Sequence, residues 1–222
     1  MFGLNVNQDP SYIDIPFECR HQCWFCGEPA QMGFCFPQIF PQQDAIILDC
    51  PHPQFLVPSC AECHHFAQQA KGDSIWAISL AVKRKLLVFY QKDLAIGINW
   101  TEQELDNSQF EGGNFSGFQK SAWFVFQVAK DRINFSAWPL SYQGVDIDVV
   151  LDKKSFSFDG VTYPSIDDAV EHYCQTFALK KNLFQEALNK IGIKRFSDTV
   201  RFCRLLVGAT PNEQKASLSC LF

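Results

Sequence analysis

The 222-residue sequence predicts an α+β protein, mostly helical, in which a small metal-held module precedes a helical body, a β-hairpin and a basic helical end. Three observations carry that expectation. Two Cys-x-x-Cys pairs lie in a stretch rich in cysteine, histidine and proline. Apolar residues recur at three- and four-residue steps over most of the remaining chain. Strict alternation is confined to one short region after Trp138-Pro139. Hydrophobic residues make up 47% of the chain and charged ones 19%, a balance that excludes a disordered protein. No run approaches the roughly 20 uninterrupted apolar residues of a membrane-spanning helix, so no membrane is expected among its partners.

Residues 16–66 hold seven of the ten cysteines and four of the five histidines. So few periodic apolar positions cannot build a core there, so a module over residues 1–70 is expected to be held by metal. A helical body is expected over 71–142. Ile75, Ile78, Val82, Leu86 and Phe89 mark one helical stripe running to about Leu94. Thr101-Glu-Gln-Glu104 is a capping box at the start of another helix. Gly112 to Phe118 reads as a loop, with Ser116 capping a long helix that carries Trp123, Phe124, Phe126 and Phe135, an aromatic cluster suited to a core.

The third segment, 143–222, opens on the alternating region. Val145, Ile147 and Val149 alternate, Asp152-Lys153-Lys154 can turn, and Phe156 and Phe158 alternate again, which predicts a single hairpin ending at Asp159-Gly160. Helices come next. Ser165 to Asp168 caps the first, and a short turn at Ala178–Asn182 leads to a second that Gly192 stops. Ser197 is expected to cap a third, and Thr210-Pro211-Asn212-Glu213 opens the last.

The metal site is the sharpest signal. Cys23-Trp-Phe-Cys26-Gly27 and Cys60-Ala-Glu-Cys63 are separated by 33 residues. Two-residue spacing lets both sulfurs of a pair face one ion from a tight turn, and glycine after the second cysteine suits the left-handed backbone of such a turn. Two pairs supply four thiolates, the ligand set of one structural zinc ion per chain. The first twenty residues lack the basic start and apolar run of a secretory signal, so a cytoplasmic chain with reduced thiols is expected. For the same reason the c-type haem pattern that Cys60-Ala-Glu-Cys63-His64 also satisfies is set aside. Cys19, Cys35, Cys50, His21, His52, His64 and His65 crowd the same region and are read as neighbours of the ligands.

Cys23-x-x-Cys26-Gly27, then Asp49-x-x-His52-Pro53, then Cys60-x-x-Cys63-His64 resembles the zinc-bearing class of HNH nucleases. The resemblance implies a ribbon or treble-clef-like module in which His52 would be the general base and His64 a ligand of the catalytic metal. Two departures stand out. Asp49 and His52 are not adjacent, and only seven residues separate His52 from Cys60. Phe158-Asp-Gly-Val-Thr-Tyr163-Pro-Ser165-Ile166-Asp-Asp-Ala169 resembles the modular DNA-binding repeat found beside intron-encoded nucleases, which implies a helix-turn-helix-like region with its second helix in a DNA groove.

Charge adds to the second resemblance. Residues 1–175 carry 11 basic and 21 acidic side chains, a net of −10; residues 176–222 carry 8 basic and 3 acidic, a net of +5. A basic end on an acidic body points to a polyanion met at one end only. Lys180, Lys181, Lys190, Lys194, Arg195, Arg201 and Arg204 are the expected phosphate contacts. The leading expectation is therefore a zinc-containing DNA-binding protein of bacterial or phage origin, without catalysis of its own. A degenerate HNH-type endonuclease and a protein-interaction subunit of a defence or mobile-element complex are the alternatives. No phosphate-binding glycine loop, Gly-x-Ser-x-Gly elbow or His-Glu-x-x-His motif occurs.

Overall fold

The computed structural model describes residues 10–37, 54–108, 115–147 and 155–221. Asp49, Cys50, His52, Gly112, Val149 and the Asp152–Lys154 turn lie outside them. The protein is α+β and mostly helical. Its contacts gather into two compact units, one formed by Met1–Leu86 with Lys130–Lys153 and the other by Leu87–Ala129 with Lys154–Phe222. Among the described residues no helix is long and apolar enough to cross a membrane.

The first unit is built on a three-stranded sheet. β1 (Ser11–Tyr12) runs parallel to β3 (Phe55–Ser59), and β2 (Met32–Phe36) pairs antiparallel with β3 from Met32↔Ser59 to Phe36↔Phe55. The alternating stretch after Trp138 is therefore not the one strand region of the chain. β3 is buried on both faces, so it reads as a continuous apolar run without the alternation that a half-exposed strand shows. Pro58 is tolerated inside it because β1 pairs only as far as Leu56. Beyond that point the Pro58 carbonyl accepts from Trp24 N–H at 2.9 Å. The sheet leads directly into α1 (Ala61–Gln69).

α2 (Ile75–Phe89) buries Ile75, Ile78, Val82 and Leu86 as its spacing predicts, but Phe89 is exposed and the helix breaks at Tyr90. α3 (Gln91–Asn99) is a separate helix, so the expected single stripe to Leu94 is two elements. α4 (Glu102–Asn107) starts at the expected Thr101 capping box, with both reciprocal bonds present. α5 (Phe115–Asn134) begins earlier than expected: residues 115–118 are helical, which puts Ser116 inside the first turn instead of at the cap. Of the expected aromatic cluster, Phe126 is buried, Phe124 is exposed, and Phe135 lies one residue past the end of the helix. Trp24, Phe25, Trp76 and Phe34 form the aromatic core of the first unit, and Trp24 Nε1 donates to the Trp138 carbonyl at 2.9 Å.

Two hairpins replace the single one expected. β4 (Ser141–Tyr142) pairs with β5 (Val145–Asp146), and β6 (Phe156–Phe158) pairs with β7 (Val161–Tyr163). Each turns through two residues of positive φ, Gln143-Gly144 (53° and 76°) and Asp159-Gly160 (56° and 73°). That backbone matches the twist of the strands it joins, so each strand pairs with its immediate neighbour.

In the second unit α6 (Ile166–Phe177) starts at Ser165, whose Oγ accepts from Asp168 N–H at 3.2 Å. Ala178 then takes a left-handed conformation and leads to α7 (Lys181–Ile191), ended by Gly192. α8 (Phe196–Leu205) begins one residue before Ser197, which therefore does not cap it. α9 (Pro211–Ser219) opens on the expected Thr210 capping box. Leu183, Phe184, Ala187 and Leu188 of α7 and Phe196, Val200 and Cys203 of α8 are buried, and Phe158, Tyr173 and Phe184 all have ring centroids within 5.5 Å of that of Phe196.

Candidate metal centre

Cys23 and Cys26 sit in a tight knuckle. Gly27 N–H donates to the Cys23 carbonyl at 2.9 Å, Cys23 N–H donates to the Glu28 carbonyl at 2.6 Å, and Gln22 bridges Pro29. Gly27 has φ +77°, and a Cβ there would lie 2.6 Å from Phe135 Cδ2. Both the backbone and the space require glycine. The second pair comes from the start of α1. Cys60 is its N-cap, its sulfur accepting from Cys63 N–H at 3.4 Å, so two thiols face the positive end of the helix.

The four sulfurs lie within 4.8 Å of one another and all four residues are buried. Among the described residues this is the one group of three or more His, Cys, Asp or Glu side chains able to converge on an ion. The Cys26 and Cys60 sulfurs are 3.7 Å apart. A tetrahedron with Zn–S bonds of about 2.3 Å has edges of about 3.8 Å, so the pair already spans one edge. The thiols also compete for protons. Hydrogen bonds from Cys23 drive Cys26 and Cys60 below the ordinary thiol value. Cys23 is raised, chiefly through its bond to Cys26, and Cys63 is raised, chiefly through its bond to Cys23. Four thiolates can coexist there only around a cation. The residues present thus fit a metal ion.

Three further side chains complete the surroundings. Arg132 near the end of α5 is 8% exposed; its Nη2 donates to the Cys26 sulfur at 3.5 Å and the Cys60 sulfur at 3.6 Å, and it ion-pairs with Glu62. Lys83 Nζ donates to the Ile133 and Phe135 carbonyls at 3.1 and 2.6 Å, closing the end of the same helix. Burial holds the Lys83 ammonium below its ordinary value, opposed by the Cys26 charge. The sequence alone assigns none of the three to the site. Arg132 carries a signal there all the same: it falls on the buried stripe of Phe126, Ala129 and Ile133, where an arginine needs a partner.

Neither His64 nor His65 joins the group formed by the four sulfurs. His64 Nδ1 is 3.4 Å from Ser59 Oγ with the ring edge-on to Phe34, and burial lowers its pKa. His65 Nε2 lies 2.9 Å from Gln69 Nε2 on the exposed side of α1.

The seven expected phosphate contacts lie on or beside α7 and α8. Lys181 pairs with Glu171 at 2.6 Å, Arg195 with Asp198 at 2.7 Å, and Lys180 Nζ donates to Gln214 Oε1 at 3.0 Å. Arg204 stacks over the Phe177 ring at 4.2 Å. Lys190, Lys194 and Arg201 are exposed.

Comparison of the chain with protein-family models, with curated proteins and with solved structures gives no match.

Proposed function

We propose that the protein is a zinc-containing nucleic-acid-binding protein that meets DNA across the outer faces of α7 and α8. The observation that carries the reading is the exposure of Lys190 on α7, Lys194 on the short turn at Ile193–Arg195, and Arg201 and Arg204 on α8, two helices whose apolar faces are buried, in a chain otherwise net acidic. The α6–turn–α7 pair supports a helix-turn-helix-like region, with α7 offering its polar face. The ion pairs at Lys181 and Arg195 are exposed and weak enough to exchange a carboxylate for a phosphate.

Four thiolates within reach of one point suit zinc, which we take as the resident ion. It would hold the knuckle to α1. The order knuckle, β2–β3 hairpin and α1 with a cysteine pair in its first turn supports a treble-clef-like module.

The test is fluorescence anisotropy of a labelled duplex at several salt concentrations, with Lys190→Glu/Lys194→Glu/Arg201→Glu as the variant. Wild type should bind with a steep salt dependence. The variant should bind weakly, its log–log salt slope reduced by about 0.9 for each phosphate that no longer meets a cation. Equal binding by the variant refutes the surface. No binding by wild type at low salt refutes the nucleic-acid reading in favour of a protein partner.

The β2–β3–α1 frame, with His64 on α1, also supports the HNH-type endonuclease alternative. That reading requires magnesium- or manganese-dependent cutting abolished by His52→Ala. An uncut duplex in either metal refutes it.

A further inference from the structure

Four thiolates around a divalent ion form a complex of net charge −2, and at this centre it is enclosed by buried cysteines. Desolvating such a complex is costly unless donors reach the sulfurs. The backbone N–H groups of Glu28, toward Cys26, and of Cys63, toward Cys60, supply part of that need. The remaining donor is a side chain. Arg132 Nη2 reaches Cys26 of the knuckle and Cys60 of the helix cap from one nitrogen, bridging the two halves of the ligand set.

The guanidinium is fixed on both sides. Glu62, two residues after Cys60, holds the same nitrogen from the solvent side, its carboxylate side chain 25% exposed against 10% for Arg132. Behind it, Lys83 ties down the Ile133 and Phe135 carbonyls, the backbone immediately after Arg132. A long, flexible cation is thereby immobilised with its N–H groups aimed at two sulfurs. An interhelical ion pair alone would need only Glu62 and Arg132, at any orientation of the fork.

Resting on the metal reading of the four cysteines, we propose that Arg132 is a positioning residue for the metal. It draws charge from the Cys26 and Cys60 thiolates, so the centre favours a divalent ion and its sulfurs resist electrophiles. Glu62 orients it. A donor withdrawn from a thiolate leaves more charge on sulfur, which makes that sulfur a better nucleophile and favours a higher oxidation state of a bound iron.

The experiment uses the full chain loaded with zinc or with iron, as wild type, Arg132→Gln, Arg132→Lys and Glu62→Gln. The first readout is the rate of zinc release by iodoacetamide, in which a thiolate sulfur forms the new C–S bond and iodide leaves. The second is the Fe(III)/Fe(II) potential of the iron form, which a purely structural link would not move. Arg132→Gln should release zinc at least tenfold faster. Its potential should be more negative by the equivalent of a tenfold change in the Fe(III)/Fe(II) preference, about 59 mV. Arg132→Lys and Glu62→Gln should fall between it and wild type. A folded, metal-loaded Arg132→Gln with wild-type release and potential overturns the role and leaves the metal centre standing. If that variant does not fold, wild-type values in both Arg132→Lys and Glu62→Gln overturn it equally. A wild-type chain that takes up no stoichiometric metal overturns this inference and the metal reading together.

Discussion

Gly27→Ala concentrates two separable penalties at the knuckle. The backbone there has φ +77°, and a new Cβ would sit 2.6 and 2.8 Å from Phe135 Cδ2 and Cε2. Holding a non-glycine residue in the left-handed region costs about 1–2 kcal/mol. Crowding a packed ring adds about 1–3 kcal/mol, because the half-buried Phe135 must shift. The sum is about 2–5 kcal/mol, enough to loosen the turn that aims Cys23 and Cys26 at one point. The assay is urea unfolding of the metal-loaded chain, with zinc content measured after dialysis against a weak chelator. Phe135→Leu in the Gly27→Ala background separates the parts: it should return the steric share and leave the backbone share. A Gly27→Ala protein as stable as wild type, with full zinc, refutes the knuckle geometry. A double variant no more stable than the single one refutes the role of Phe135.

Two predictions concern the second unit. His172 is 4% exposed between Tyr163 and Tyr173, with no hydrogen-bond partner at Nε2 among the described residues, and burial lowers its pKa to about 4. The folded state thus binds its proton less readily than the unfolded state. Its stability contribution is complete above about pH 6.5 and is lost as pH falls toward 4, by about 1.4 kcal/mol per unit. Between about pH 7 and 5 wild type should lose about 2 kcal/mol more than His172→Leu in urea titrations, and parallel losses would rule the effect out. Phe184 is fully buried with its ring 5.4 Å from Phe196, so Phe184→Ala should cost about 3–5 kcal/mol in the unfolding of that unit. A loss under about 1 kcal/mol would contradict the α7–α8 packing.

The convergence of the four cysteines was legible because holding a metal ion through thiolates imposes a spacing that local sequence displays: two residues between sulfurs, then glycine at Gly27. Helix starts were legible where a side chain satisfies backbone N–H groups, at Thr101, Ser165 and Thr210. The break at Tyr90 has no glycine or proline to announce it. β2 and β3 were hidden for another reason. β3, buried on both faces, has no alternation, Gly33 in β2 and Pro58 in β3 are poor strand formers, and the paired residues lie about 20 to 27 positions apart. Alternation at Val145 and Ile147 was real evidence for strand but silent on partner, which the Gln143-Gly144 turn decides. Arg132 and Glu62 meet only in the fold, 70 residues apart.

The most direct measurement is metal analysis of the purified chain by native mass spectrometry and elemental assay, beside Cys60→Ser and Cys63→Ser. One zinc ion per wild-type chain, retained against a weak chelator and lost from both variants, is the predicted result. A folded wild-type chain without metal, or variants that keep a full equivalent, would contradict a centre built by Cys23, Cys26, Cys60 and Cys63.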